Sequence, residues 1–171
     1  MNIIEDINFL NEEQKNKANN LFENETTPFY LSNQTVIKND GGFHFIHHII
    51  HRDRPNELNS NLKDFSVEIL NSFCKKNNIK YKNIFRSAIN ITFNNGAVYK
   101  CPVHEDHPFK HKQLLIYLND SSGDTIILNK KNEPIKVIEP LKFKGVFFES
   151  SPHFHYFPIK GIRIVFVTTF N

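Results

Sequence analysis

The sequence predicts a mainly β, α+β fold, with helices in front and a jelly-roll-type double-sheet core from about residue 29 to residue 170. Two observations carry this. Beyond Ile79, short apolar runs rich in Ile, Val and Phe alternate with turn signals every eight to twelve residues, the spacing of a sandwich or closed double sheet. Ahead of it, Leu62, Phe65, Ile69, Leu70 and Phe73 recur at helical spacing, an apolar stripe suited to packing on a sheet. At 171 residues the chain is expected to form one domain able to bury a substantial core. Residues 1–78 would supply helices and leading strands, and residues 79–171 the β core.

In chain order, Asn11–Phe22 reads as a polar, solvated helix, with Asn11 as cap and Glu12 and Glu13 in the first turn. Phe29-Tyr30-Leu31 and Thr35-Val36-Ile37 read as strands separated by Ser32-Asn33-Gln34, and Asn39-Asp40-Gly41-Gly42 as a turn. Next come His44, His47, His48 and His51. On a helix they would share a face and could bind zinc; the Phe and Ile between them, and the lack of a nearby Cys or carboxylate, favour a strand. Arg52-Asp53-Arg54-Pro55-Asn56 ends that segment as a loop. Ser60 or Asn61 would cap the Ser60–Asn77 helix, and Asn77-Asn78 would close it. Strands are then expected at 84–93, 97–103, 111–118, 125–128, 135–138, 142–148 and 161–170, with turns at 94–96 and 119–124.

Composition narrows the function classes. A net charge of +3, from 21 basic and 18 acidic residues spread along the chain, argues against a nucleic-acid binder. No apolar window reaches membrane-spanning length, and the acidic start Met1–Asp6 lacks the apolar run of a signal peptide. Cys74 and Cys101 show no metal-ligand spacing; a reduced cytoplasm is the simpler reading, although two thiols leave one disulfide open.

The chemistry-bearing stretch is Pro102-Val103-His104-Glu105-Asp106-His107. In extended backbone, residues two apart point the same way, so His104 and Asp106 can offer two corners of a metal site. Ser151-Pro152-His153-Phe154-His155 offers a third. Two His and one carboxylate with open positions describe the facial triad of non-haem Fe(II) oxygenases. Both His153 and His155 lie on one face of an extended segment, and parity alone does not choose between them. Glu105 should face away, towards solvent or substrate. His107 and His111 read as rim residues, and Cys101 as packing. Phe109, Phe154, Tyr156 and Phe157 read as walls of the mouth or as core.

Taken together, His104-x-Asp106, Tyr117-Leu118-Asn119-Asp120, Gly123-Asp124-Thr125, Gly145-Val146-Phe147-Phe148, His153 and Lys160-Gly161-Ile162-Arg163 stand in an order that resembles the 2-oxoglutarate- and Fe(II)-dependent dioxygenases. The prolyl-4-hydroxylase-like branch is the nearest in pattern, over roughly residues 89–170. The resemblance implies a cupin-like double-stranded β-helix as the catalytic core, with Fe(II), 2-oxoglutarate and O2 as cofactor and co-substrates. It implies His104, Asp106 and His153 as iron ligands, His153 standing ten positions before Arg163 as the family's spacing asks, and His155 at the substrate mouth. Arg163 would grip the far carboxylate of 2-oxoglutarate, Tyr117 would hydrogen-bond the same group, and Tyr99 is a further co-substrate candidate. Where some branches carry a Ser two residues after that Arg, this chain has Val165. The implied activity is hydroxylation of a peptidyl or small-molecule C–H bond. The alternatives are a cupin-like metal protein without 2-oxoglutarate, and a non-catalytic β-sandwich binding module.

Overall fold

A computed structural model describes residues 2–22, 27–54, 60–94, 96 and 98–171. In chain order its elements are β1 (Ile3–Asp6), α1 (Glu12–Asn20), β2 (Tyr30–Ser32), β3 (His44–Ile50), α2 (Lys63–Lys76), β4 (Ile84–Phe93), β5 (Lys112–Tyr117), β6 (Thr125–Leu128), β7 (Pro134–Ile138), β8 (Gly145–Glu149), β9 (His153–His155) and β10 (Ile162–Phe170). Among the described residues they form a seven-stranded sheet, β1-β8-β5-β10-β4-β3-β2, and a three-stranded sheet, β7-β6-β9. Every strand pair is antiparallel. This is the expected double-sheet core, and strands from both sides of residue 79 share the large sheet.

Alternation sorts the large sheet into two faces. Leu114, Ile116, Phe147, Phe166 and Phe170 face the helices and pack with Phe65, Ile69, Leu70 and Phe73 of α2 and with Phe9 and Leu21. Phe73 is fully buried, and its truncation to Ala is expected to cost ~3–5 kcal/mol. Gly145 lets α2 approach β8 closely, because a Cβ there would lie 2.8 Å from the Phe73 ring. On the opposite face, Leu115, Tyr117, Val146, Phe148, Val165 and Val167 meet Ile127 and Ile138 of the small sheet. The functional side chains lie between the sheets.

Several expectations need correction. Residues 35–37 are not a strand: the Asp40 carboxylate accepts the backbone N–H groups of Thr35, Val36 and Ile37, as well as that of Gly42, and folds the segment into a turn. The 97–103 run is not a strand either, beyond an isolated bridge from Lys100 to Tyr156. β8 begins at Gly145, after a turn in which Phe143 takes a φ of 66° and Lys144 N–H donates to Leu141. β1 was not foreseen; it extends the large sheet through β8. The helix at 60–77 starts later than expected, at Lys63, and Ser60 Oγ accepts the Leu62 N–H instead of capping the helix itself. The Asn11 cap is present as a reciprocal capping box with Gln14. Gln14 and Ala18 are buried, so α1 is less solvated than its composition suggests. Within expected segments, Pro55, Asn56, Asn95 and Ala97 lie outside the described residues.

Candidate active site

Strand β9 delivers His153 to His104 through a two-way backbone bridge: His104 N–H donates to His153 O (3.0 Å) and His153 N–H to His104 O (2.9 Å). The rings stand 4.4 Å apart, centroid to centroid. Each ring uses Nδ1 in the same way. His104 Nδ1 donates to the Pro102 carbonyl and His153 Nδ1 to the Ser151 carbonyl, both at 3.0 Å. That fixes the tautomer and leaves each Nε2 as a lone pair. Ligand atoms of His104, Asp106 and His153 all lie within 4.8 Å of one another, a group that could hold a metal ion.

The protonation states suit a cation. Burial and the neighbouring His104 push His153 down to about 4, against the pull of Asp106, so it is neutral at pH 7. Burial acts to raise Asp106, but His153, Arg86, His104 and Arg52 outweigh it and hold the carboxyl at about 2. Arg86 is the close partner, its Nη1 donating to Asp106 Oδ1 at 3.2 Å, while Arg52 stands 3.8 Å away. His153 and Asp106, both deprotonated before any cation arrives, need release no proton to bind one.

These donors open on a cavity of about 210 Å³ between the sheets. At its other end lies Arg163, only 4 % exposed. Its Nε donates to Gly123 O and its Nη2 to Thr125 Oγ1, both at 2.8 Å, and the guanidinium lies 5.4 Å from the centroid of the Tyr117 ring. No carboxylate of the described residues reaches ion-pair distance. Gly123 makes room for this: a Cβ there would stand 2.8 Å from Arg163 Cδ and 2.5 Å from Tyr156 O. Tyr117, fully buried, stands behind Arg163 and donates to the same Thr125 Oγ1, at 2.8 Å.

The structure therefore brings together His104, Asp106, His153 and Arg163, with Tyr117 backing Arg163 and not lining the cavity itself. It does not bring Tyr99 there. Without a strand to fix its parity, Tyr99 is 69 % exposed and stacks on Tyr156. His155 lines the cavity beside Arg163, its Nδ1 3.2 Å from Cys101 Sγ. Glu105 is an exposed part of the cavity lining. His107 and His111 are buried and are not rim residues: His107 Nε2 meets Thr169 Oγ1 at 2.7 Å, and His111 meets Ser150. Cys101 packs as expected, and both cysteines are free and buried. Sequence reasoning missed Arg86, Arg52 and Thr125. Arg86 alone had a usable signal, a charge inside an otherwise apolar strand.

Solved structures of 2-oxoglutarate/Fe(II) oxygenases share this fold of two antiparallel sheets. A 2OG-Fe(II) oxygenase family oxidoreductase from Burkholderia pseudomallei superposes with a TM-score of 0.78 at 13 % identity, covering 99 % of this chain and 84 % of its own. A prolyl hydroxylase from Trichoplax adhaerens, in complex with a hypoxia inducible factor oxygen degradation domain peptide fragment, gives 0.64 at 17 % identity, over 98 % and 82 %. A Pseudomonas putida prolyl-4-hydroxylase gives 0.64 at 14 % identity, over 99 % and 91 %. No family model and no curated protein matches the sequence.

Proposed function

We propose that this protein is an Fe(II)- and 2-oxoglutarate-dependent dioxygenase that hydroxylates a C–H bond of a peptidyl or small-molecule substrate. The observation that carries the reading is one cavity holding both a three-donor His104/Asp106/His153 group and a buried Arg163 with no carboxylate partner. The donor set fits a hard-to-borderline dication with open positions, and the free guanidinium fits a carboxylate. The shared fold supports it.

When bound, Fe(II) with 2-oxoglutarate and O2 supplies the oxidising power: 2-oxoglutarate yields succinate and CO2, and one oxygen atom enters the substrate C–H bond. The protein's part is binding and orientation. The Pro102 and Ser151 carbonyls hold the two imidazoles with Nε2 facing inward. Arg86 keeps Asp106 ionised and fixes its carboxylate plane. Arg163, braced by Gly123, Thr125 and Tyr117, anchors the far carboxylate of 2-oxoglutarate and so sets the direction in which its keto-acid end points. Leu115, Val165 and Val167 line the same cavity with apolar surface and keep water from the reacting atoms. Two free, buried thiols suit a reducing compartment such as the cytoplasm, and among the described residues no helix is long and apolar enough to cross a membrane.

The test is anaerobic Fe(II) titration with and without 2-oxoglutarate, followed by succinate release in air. One Fe(II) per chain, 2-oxoglutarate binding that depends on Arg163, and succinate formation are expected. Metal binding indifferent to 2-oxoglutarate would point to the cupin-like alternative, and no metal binding to a non-catalytic module.

A further inference from the structure

We propose that the substrate is a small acid, its carboxylate or phosphate received by Arg52 and Arg86 and its N–H or O–H donors by Asn90 and His44. This rests on the oxygenase reading above and names the substrate class for that site.

The argument begins on the wall formed by β3 and β4. In their register His44 faces Thr92 and Ile46 faces Asn90, so His44, Asn90 and Arg86 all project from the site face of the sheet. His44, Asn90, Arg86 and Arg52 line the cavity. Two polar side-chain atoms there have no partner. Asn90 Oδ1 is buried without a hydrogen-bond partner, and so is His44 Nδ1. Buried polar atoms are rarely left this way unless a ligand or water completes them. Asn90 Oδ1 asks for a donor, and His44 Nδ1 for a donor or an acceptor according to its tautomer.

Charge supplies the second half. Among the described residues three guanidiniums line the cavity, Arg52, Arg86 and Arg163, against two carboxylates, Glu105 and Asp106. A metal dication and a doubly charged 2-oxoglutarate cancel, so they leave this surplus in place. They also redistribute it. Among the described residues Asp106 is the carboxylate that Arg86 and Arg52 contact, and it would also serve a bound metal, while Arg163 would hold the far carboxylate of 2-oxoglutarate. Arg86, largely buried, would then share its counterion with the metal, and Arg52, its side chain 43 % exposed, stands beside it. An anionic head resolves both; the uncharged side chain of a peptidyl proline resolves neither. Size agrees. About 210 Å³ is below the ~300–1,000 Å³ of sites for drug-sized ligands, and 2-oxoglutarate takes part of it. The His-rich β3, a riddle in the sequence, becomes the wall that reads the donors beside the anionic head.

The test uses matched probes: free amino acids, 2-hydroxy acids and phosphate monoesters, each against its neutral amide or alcohol, plus a proline peptide with blocked termini. Binding is measured by calorimetry on the protein with and without Zn(II) and 2-oxoglutarate, and succinate release with Fe(II) is followed in parallel. At least one acid should bind ten-fold or more tightly than its neutral partner. Arg52→Gln should cut that ratio at least five-fold. Asn90→Leu should weaken acids that carry an α N–H or O–H but not those that lack it. If Asn90→Leu fails to fold, Arg52→Gln, at a half-exposed site, still decides. The carboxylate and phosphate arms show which head is meant. Equal binding of acids and neutral partners, preference for the blocked peptide, no binding by any probe, or a ratio unchanged in Arg52→Gln overturns the proposal. Absence of any 2-oxoglutarate consumption would instead sink the oxygenase reading, which the binding ratios do not depend on.

Discussion

Replacing Arg163 by Met separates ligand binding from folding. In the free protein this guanidinium is buried and donates to two neutral groups, the Gly123 carbonyl and the Thr125 hydroxyl, with no ion pair among the described residues. Removing a buried charge that lacks a counterion is neutral to stabilising by up to ~4 kcal/mol. Leaving the Gly123 carbonyl unpaired costs ~1–3 kcal/mol, while Thr125 Oγ1 keeps the Tyr117 hydroxyl. The two effects offset, so the variant's melting temperature without ligand should stay close to the parent's. Binding is different. Losing one partner of a desolvated charge pair costs about 2–5 kcal/mol, roughly a 30- to 5,000-fold loss of 2-oxoglutarate affinity at ~1.4 kcal/mol per factor of ten. Ligand at 100 times its dissociation constant stabilises a protein by ~2.7 kcal/mol, about 5–11 °C for a chain of this size. The parent, loaded with Zn(II), should show that shift with 2-oxoglutarate and Arg163→Met should not, while Zn(II) binding persists in both. A variant that keeps the shift, or one that unfolds without ligand, would refute the reasoning.

Further outcomes follow from the same geometry. His153→Ala should lose stoichiometric Fe(II) binding, whereas His155→Ala should retain the metal and change 2-oxoglutarate or substrate affinity; circular dichroism checks both folds, and the reverse result would move the ligand register by two. Gly123→Ala, whose Cβ would press on Arg163 and on Tyr156 O, should weaken 2-oxoglutarate binding while sparing Fe(II) titration. Stability without metal should fall as pH drops from about 6.5 towards 4. There the unfolded chain protonates His48, His107 and His153, while in the folded state burial, the largest influence on each, holds them at about 4; a flat urea midpoint across that window would contradict it. Asp40 adds a lower step. Burial raises it but four backbone N–H groups and Thr35 bring it to about 2, so its stabilising contribution is present above about 4 and lost as pH falls towards 2. Asp40→Asn should remove that step.

The strands and α2 were legible because periodicity is local: the apolar stripe of α2 and the run Ile84–Phe93 declare themselves within a dozen residues. His104, Asp106 and Arg163 were legible as residue types whose chemistry is costly to place at random. The rest depends on contacts distant in sequence. Arg86 acquires meaning only through Asp106, twenty residues on, and Thr125 only through Arg163 and Tyr117. Thr35-Val36-Ile37 has strand composition, and the Asp40 carboxylate overrides it by gathering the segment's backbone N–H groups. Tyr99 was misplaced because the family pattern was carried onto residues that make no ladder beyond the Lys100–Tyr156 bridge.

β10 carries Arg163 and occupies the middle of the large sheet, between β5 and β4, although it is the last strand along the chain. The two halves on either side of it, β1-β8-β5 and β4-β3-β2, have no hydrogen-bonded seam of their own. During synthesis they must wait, edges exposed, until β10 is made and inserted between them. Such late, long-range closure is slow and open to aggregation. The strand that completes the sheet also brings Arg163, the proposed anchor for the co-substrate, so a chain stalled before it would hold the candidate metal ligands without that guanidinium.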